Sequence, residues 1–265
     1  MIKRFLSIIV IFLMLSLFSC SKSTDKHVWT VVRQSKTETH FSSIQFINSN
    51  AGWVSGWSGI TAYTKDGGKT WAYYQTCTDK NLEGAYFINE NEGWCVGSFG
   101  TIVHTKDGGK TWELQKSNSE EELKGVFFID AKRGWVVGGG IEGTILHTED
   151  GGKTWVNQAS GTRNELSQVR FINAQEGWIT GLWGTILHTK DGGKTWETQP
   201  TGLSQSLFGL CFIDANNGWV VGTFGTVLRT TDGGNTWTKQ QKCTDQHLWA
   251  IDFVDANNGW ATGWE

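Results

Sequence analysis

The sequence predicts an all-β protein, a β-propeller of four-stranded antiparallel blades, with six blades visible and the last one incomplete. Three observations predict this fold. The octapeptide TKDGGKTW returns four times in near-copies, a Gly-Trp pair recurs in phase with it, and each repeat holds four short β-compatible stretches. Strands this short cannot fold alone, so the repeats must stack, as the blades of a ring do. We expect six or seven blades in the full protein.

Each octapeptide predicts a hairpin turn, because Asp-Gly-Gly supplies the residues that adopt positive φ most readily. The Asp carboxylate can accept hydrogen bonds from backbone N–H groups of its own turn. A turn device recurs in every unit, whereas a catalytic carboxylate need occur only once. We therefore predict a structural role for the five turn-box aspartates, which are Asp66, Asp107, Asp150, Asp191 and Asp232.

The second motif sets the length of the repeat. Its tryptophans are Trp53, Trp94, Trp135, Trp178, Trp219 and Trp260, with a period of 41 residues. The period changes only where GGGIEG adds two residues to the third repeat. A length change confined to one loop is typical of stacked supersecondary units.

One repeat, taken in order, predicts four strands: LKGVFFID (123–130), WVVG (135–138), GTILHT (143–148) and TWVNQ (154–158). The early stretch VWTVVRQ (28–34) resembles a fourth strand without the three before it. We predict that it completes the last blade and closes the ring. The last repeat stops at 263–265, where another GTILHT would be expected, so the sequence is interpreted as truncated.

The N-terminus resembles a bacterial lipoprotein signal. Lys3 and Arg4 precede an apolar run that ends at LFSC. We predict a signal over 1–19, lipidation of Cys20, a polar tether over 20–27 and the propeller over 28–265. This predicts an exported protein of the bacterial cell envelope, anchored at the outer membrane. An ordinary cleaved signal or an uncleaved N-terminal anchor is the alternative.

Charge argues against a nucleic-acid partner. Of the 23 basic residues, Lys3 and Arg4 fall in the signal, which leaves 21 against 26 acidic residues and a net charge of −5. No motif predicts a cofactor. Cys95 and Cys211 lie in apolar strand patterns and are expected to be buried, whereas Cys77 and Cys243 lie four repeats apart, too far for an expected disulfide.

The repeated unit FID...GWVVG..GTILHT.DGGKTW resembles the Asp-box, or bacterial neuraminidase, repeat. It is most similar to the photosystem II stability and assembly factor family of β-propellers, over residues 28–265. The resemblance implies a seven-bladed, non-enzymatic propeller that binds a newly made reaction-centre subunit. The sequence departs from the photosynthetic members in its lipoprotein-like signal and in lacking their Arg-rich patch. We expect a lipid-anchored scaffold with a protein partner.

The alternative is a glycoside hydrolase or a carbohydrate-binding propeller, since sialidases and some glucan hydrolases also use Asp-box propellers. A sialidase needs an arginine triad. None of the five arginines that follow the predicted signal lies in the Arg-Ile-Pro context that sialidases show near their start. A glucan hydrolase needs only two carboxylates across a cleft. The carboxylates that the repeat does not explain are Asp79, Glu142, Asp245 and Asp252.

No metal site is predicted, because three of the six histidines share one repeat position and so fall in separate blades. They are His104, His147 and His188.

Candidate binding residues lie where the repeats differ. The loops between the second and third strands place apolar side chains along one rim, and Arg163 lies in a loop on the same face. The rim set is Trp57, Phe99, Ile141 with Glu142, Trp183, Phe224 and Trp264. The alternative is that these side chains only plug the blade ends. Arg170 and Asp252, on first strands, are predicted to face the central channel, with a buried polar pair as the alternative.

Overall fold

Four antiparallel strands follow one another in every complete repeat, joined in sequence order. The computed structural model describes residues 40–140, 142–242 and 244–264, without the side chain of Trp264. The predicted signal, Cys20, the tether and the strand at 28–34 lie outside the described residues, as do Ile141 and Cys243.

The six blades are defined by their strands. Blade 1 contains β1 (Phe41–Phe46), β2 (Gly52–Gly56), β3 (Ile60–Thr64) and β4 (Ala72–Gln75). Blade 2 contains β5 (Leu82–Phe87), β6 (Gly93–Gly97), β7 (Thr101–Thr105) and β8 (Glu113–Gln115). Blade 3 contains β9 (Leu123–Phe128), β10 (Gly134–Gly138), β11 (Thr144–Thr148) and β12 (Val156–Gln158). Blade 4 contains β13 (Leu166–Phe171), β14 (Gly177–Gly181), β15 (Ile186–Thr189) and β16 (Glu197–Thr198). Blade 5 contains β17 (Leu207–Phe212), β18 (Gly218–Gly222), β19 (Thr226–Thr230) and β20 (Thr238–Lys239). Blade 6 contains β21 (His247–Phe253) and β22 (Gly259–Trp264).

The predicted all-β propeller is confirmed, and within the described residues the last blade contains two strands. First strands of consecutive blades contact one another, from β1 and β5 through to β17 and β21. The described residues contain no α-helix, only two short 3-10 turns, Trp57–Gly59 and Thr223–Gly225. In the described part of the chain, no helix is long and apolar enough to cross a membrane.

Fourth strands are shorter than the sequence predicts. In blade 3 the strand begins at Val156, two residues after the predicted start. The reason is that Thr154 belongs to the turn: its N–H and hydroxyl both donate to the Asp150 carboxylate, at 2.9 and 2.7 Å. Thr154 is therefore held in the turn, and strand pairing begins only at Val156.

A β-bulge recurs near the start of all six first strands. In blade 2, Leu82 lies opposite Gly97 and Gly84 lies opposite Val96, so Glu83 is the extra residue. The same register shift occurs in the other blades. A bulge turns a side chain away from the regular alternation of the sheet. The six bulge residues are Ser42, Glu83, Lys124, Ser167, Phe208 and Trp249.

The core lies between blades and is built on the Gly-Trp tryptophans. Trp94 is fully buried and stacks between His104 of its own third strand, at 4.5 Å, and Phe128 of the next blade, at 3.5 Å. Trp53, Trp135 and Trp178 have equivalent stacking partners. Each such ring pair adds about 1 kcal/mol beyond the burial of its surface. The indoles therefore join each blade to the next.

Candidate functional site

The turn boxes lie at one end of the blades, which we call the turn-box face. In blade 2, Asp107 accepts hydrogen bonds from the Thr111 N–H at 2.9 Å, the Thr111 hydroxyl at 2.6 Å and the Thr105 hydroxyl at 2.9 Å. Burial opposes ionisation, yet these hydrogen bonds hold the pKa of Asp107 below its ordinary value. The other four boxes repeat this geometry. These carboxylates are occupied within their own turns.

The opposite end, which we call the rim face, carries the loops between second and third strands. In blade 2, the Thr101 N–H bonds to the Ser98 carbonyl, and Phe99 and Gly100 between them have φ of 56° and 64°. Two central residues with positive φ characterise the type I′ turn, whose preferred sequence is Asn-Gly. Here a phenylalanine occupies the position that favours asparagine.

Large aromatic residues take this turn position in three blades. Phe99, Trp183 and Phe224 have φ near 55°, and their exposed fractions are 72%, 67% and 60%. A bulky residue in the left-handed region costs about 1 to 3 kcal/mol. In blade 1 the position is held by Ser58, so Trp57 lies one residue earlier than its predicted equivalents. Neither burial nor backbone preference explains the three aromatics.

Main-chain hydrogen bonds fix each rim turn to the loops on both sides. The Ser98 N–H donates to the Asn81 carbonyl at 3.0 Å, and the Gly100 N–H donates to the Glu121 carbonyl at 2.7 Å. Blades 4 and 5 repeat both bonds. The conformation of these turns is therefore fixed by main-chain hydrogen bonds and not by the aromatic side chains that project from them.

Polar groups accompany the rim aromatics. The Lys80 ammonium lies 5.6 Å from the Phe99 ring centroid, a cation–π contact. The His247 ring lies 5.0 Å from Phe224, and its Nδ1 accepts the Phe224 N–H at 3.2 Å. Aromatic anchors among polar groups are typical of binding surfaces.

Two bulge residues, Glu83 and Lys124, form a second group next to the rim loops with Glu122 and Glu165, and the sequence analysis missed this group. The Lys124 ammonium lies 2.7 Å from the Glu165 carboxylate and 3.9 Å from that of Glu122. Burial alone would lower the pKa of Lys124, but the Glu165 carboxylate holds this pKa above its usual value. Burial and the charge of Glu122 raise the pKa of Glu83. We call these four residues the charged sector.

In blades 5 and 6 the bulge residues are aromatic. Phe208 and Trp249 stack with their centroids 4.1 Å apart. The recurring Leu-X-Gly pattern, as in Leu207-Phe208-Gly209, was the sequence signal that could have marked the bulge.

The two predicted channel residues lie on either side of Cys211. Arg170 is half-buried, with its guanidinium 5.7 Å from the Phe127 centroid. Asp252 is exposed and accepts a contact from the Cys211 thiol at 3.5 Å. Burial and the Asp252 charge raise the pKa of Cys211 to about 11, so the thiol stays protonated. Arg163 is exposed in the loop that follows blade 3.

The other candidate carboxylates are dispersed. Asp79 pairs with the adjacent Lys80 at 3.1 Å, and Asp245 pairs with Lys242. Glu142 lines a groove of about 410 Å³ beside blade 3, together with Glu121 and Trp155.

Two of the three histidines that share a repeat position, His104 and His188, belong to the core. His104 and His188 stack on tryptophans of their own blades, and each lies 3.2 Å from a glutamate oxygen. Burial lowers the pKa of both rings. Across the described ranges, no three His, Cys, Asp or Glu side chains are grouped to hold a metal ion.

Similar folds occur among solved structures. YCF48 bound to D1 peptide shares 21% identity and a TM-score of 0.51, covering 88% of this chain and 93% of that one. YCF48 from Cyanidioschyzon merolae shares 19% identity and a TM-score of 0.51, covering 87% and 94%. An ancestral GH74 enzyme has a TM-score of 0.66 at 12% identity, covering 80% of this chain but 33% of that one. These likenesses show the fold.

No curated protein sequence matches the chain. A family model described as photosynthesis system II assembly factor YCF48 matches residues 21–119, 112–209 and 198–264. These ranges cover the repeats from the first blade to the last described strand. The chain therefore belongs to the photosynthesis system II assembly factor YCF48 family of β-propellers.

Proposed function

We propose that the protein is a non-enzymatic scaffold that binds a protein partner through its rim face. The observation that carries the proposal is the presence of Phe99, Trp183 and Phe224 at exposed type I′ turn positions. Exposed aromatics contribute little to the core, and their positive φ destabilises the fold. Strained residues of this kind accumulate at functional sites, and large aromatics are the commonest anchors of protein interfaces.

Fold relatives support a polypeptide ligand. One similar structure is YCF48 with a D1 peptide bound. The family match makes a binding role for this propeller the natural starting point. The D1 peptide is that protein's ligand, and we do not assign it to this chain.

We further propose export and a lipid anchor at Cys20. The support is the sequence alone: Lys3 and Arg4, the apolar run and LFSC. An anchor at the N-terminus would tether the propeller to a membrane surface and present it to partners in the cell envelope.

Photo-cross-linking tests the binding face. A benzophenone amino acid is placed at Phe99 or Trp183, and in a separate variant at Leu114, which is 65% exposed on β8, outside the rim turns. In envelope extracts we expect a discrete cross-linked product from the first two positions and none from Leu114. Equal labelling from all three positions would remove the rim face from the proposal.

Matched substitutions provide the second measurement. Phe99→Asn, Trp183→Asn and Phe224→Asn keep a residue that favours the turn while removing the ring, and Leu114→Asn is the control. The rim variants should lose the captured partner about tenfold each. Unchanged capture by all three would contradict the proposal. Hydrolysis of β-glucans or sialosides that is lost on one carboxylate substitution would establish a glycoside hydrolase instead.

A further inference from the structure

We propose that the partner segment recognised by the rim face is basic, with lysine or arginine side chains beside large apolar ones. The inference rests on the proposed function, because it assigns the chemistry of the ligand to that same face. It concerns blades 2 to 4, where the charged sector lies between two exposed rim aromatics, Phe99 of blade 2 and Trp183 of blade 4.

The charged sector carries more negative than positive charge. Lys124 is the one ammonium, and the carboxylates of Glu83, Glu122 and Glu165 all interact with it. One ammonium cannot neutralise three carboxylates, of which Glu83 and Glu165 are half-buried and Glu122 is exposed. Burial is the main cause of the raised pKa of Glu83, and the charge of Glu122 adds to it, as uncompensated negative charge nearby should. A cationic side chain of a partner would neutralise part of this excess negative charge.

The neighbouring loop extends the same charge. The two-residue insertion of the third repeat falls in the rim loop of blade 3. Glu121 and Glu142 line the groove of about 410 Å³ beside that loop. Glu121 accepts the Gly140 N–H at 3.0 Å, which holds its carboxylate at the loop. A segment lying across blade 3 would meet carboxylates along its length.

The flanking aromatics explain why the cation should be part of a polypeptide with apolar side chains. Phe99 already accepts an ammonium, since Lys80 lies 5.6 Å from its centroid. Rings of this kind bind the aliphatic stems of lysine and arginine as well as their charged ends. Complementary charge in the middle and apolar contacts at both sides define a basic, apolar segment rather than an isolated ion.

Fluorescence anisotropy with two labelled peptides tests the inference. The first peptide alternates lysine with tyrosine, and the second has glutamate in place of every lysine. We expect the first to bind about tenfold more tightly and to weaken as NaCl rises from about 50 to about 300 mM. Equal binding, preference for the glutamate peptide, or no binding of either would overturn the inference.

Charge variants make the test specific to the sector. Glu122→Gln should weaken binding of the lysine peptide about threefold, whereas Lys124→Gln should strengthen it by a similar factor. Glu149→Gln removes the same charge from an exposed position on the turn-box face and should change nothing. Equal effects of Glu122→Gln and Glu149→Gln would mean that only net charge matters. Cross-linking from Phe99 without a lysine preference would overturn this inference and leave the proposed function standing.

Discussion

The indole of Trp135 lies so close to Gly193, the second turn-box glycine of the next blade, that a Cβ there would come within 2.5 Å of the indole nitrogen. Gly193 also has a φ of 81°. The two sequence motifs are therefore coupled in space: the tryptophan of one repeat needs the glycine of the following repeat.

Gly193→Ala should destabilise the fold strongly, because the methyl group meets both the indole and an unfavourable φ. We expect a loss of about 3 kcal/mol in the free energy of unfolding, measured by urea denaturation. Gly202→Ala is the control, since Gly202 has a φ of 67° but no atom within 4 Å of its Cβ position. It should lose only about 1 kcal/mol. Similar losses for both would show that the indole contact contributes nothing.

The turn-box carboxylates should make stability depend on pH in the acid range. The hydrogen bond from the Thr195 hydroxyl, aided by the Thr195 N–H, lowers the pKa of Asp191 to about 2. A carboxyl whose folded pKa lies below its unfolded value stabilises the fold above the unfolded pKa, near 4, and loses that effect as the pH falls towards 2. The stability difference between wild type and Asp191→Asn should therefore be largest near pH 6 and shrink towards pH 2. A difference that is constant with pH would contradict the assigned role of the charge.

Phe99→Asn should stabilise the protein, an unusual outcome for removing an aromatic residue. Asparagine adopts positive φ more readily than phenylalanine, and the exposed ring contributes little packing. We expect a gain of about 1 kcal/mol in the free energy of unfolding. Ser58→Asn, at the equivalent turn of blade 1, should gain less, because serine is not bulky. A loss of stability on Phe99→Asn would show that the ring serves the fold.

Cys20→Ala tests the predicted anchor. Wild-type protein should partition into the membrane fraction, and the variant should be released or should accumulate unprocessed. Ser19→Ala is a control that keeps the cysteine. If the Cys20 variant is processed and membrane-bound like wild type, the lipoprotein prediction is wrong.

The features that recur in every repeat could be predicted from the sequence. The Asp-Gly-Gly turns and the Gly-Trp pairs follow from local chemistry. The blades and their order could therefore be predicted from the sequence. The bulge at Glu83 was missed, because a bulge depends on the register between two strands, and the recurring Leu-X-Gly pattern marks it only once that register is known. The sequence analysis also grouped Trp57 with Phe99. The backbone angles show instead that Ser58 holds the turn position equivalent to Phe99. The charged sector joins residues about 40 positions apart, whose proximity depends on how closely the first strands approach.

The rim turns are held by main-chain bonds to both neighbouring loops, and this separates recognition from folding. A side chain at Phe99, Trp183 or Phe224 can be exchanged without removing any of the bonds that shape its turn. After gene duplication, single substitutions there could redirect the protein to a new ligand while the blades stay intact. The same positions are suited to grafting foreign binding residues onto this ring.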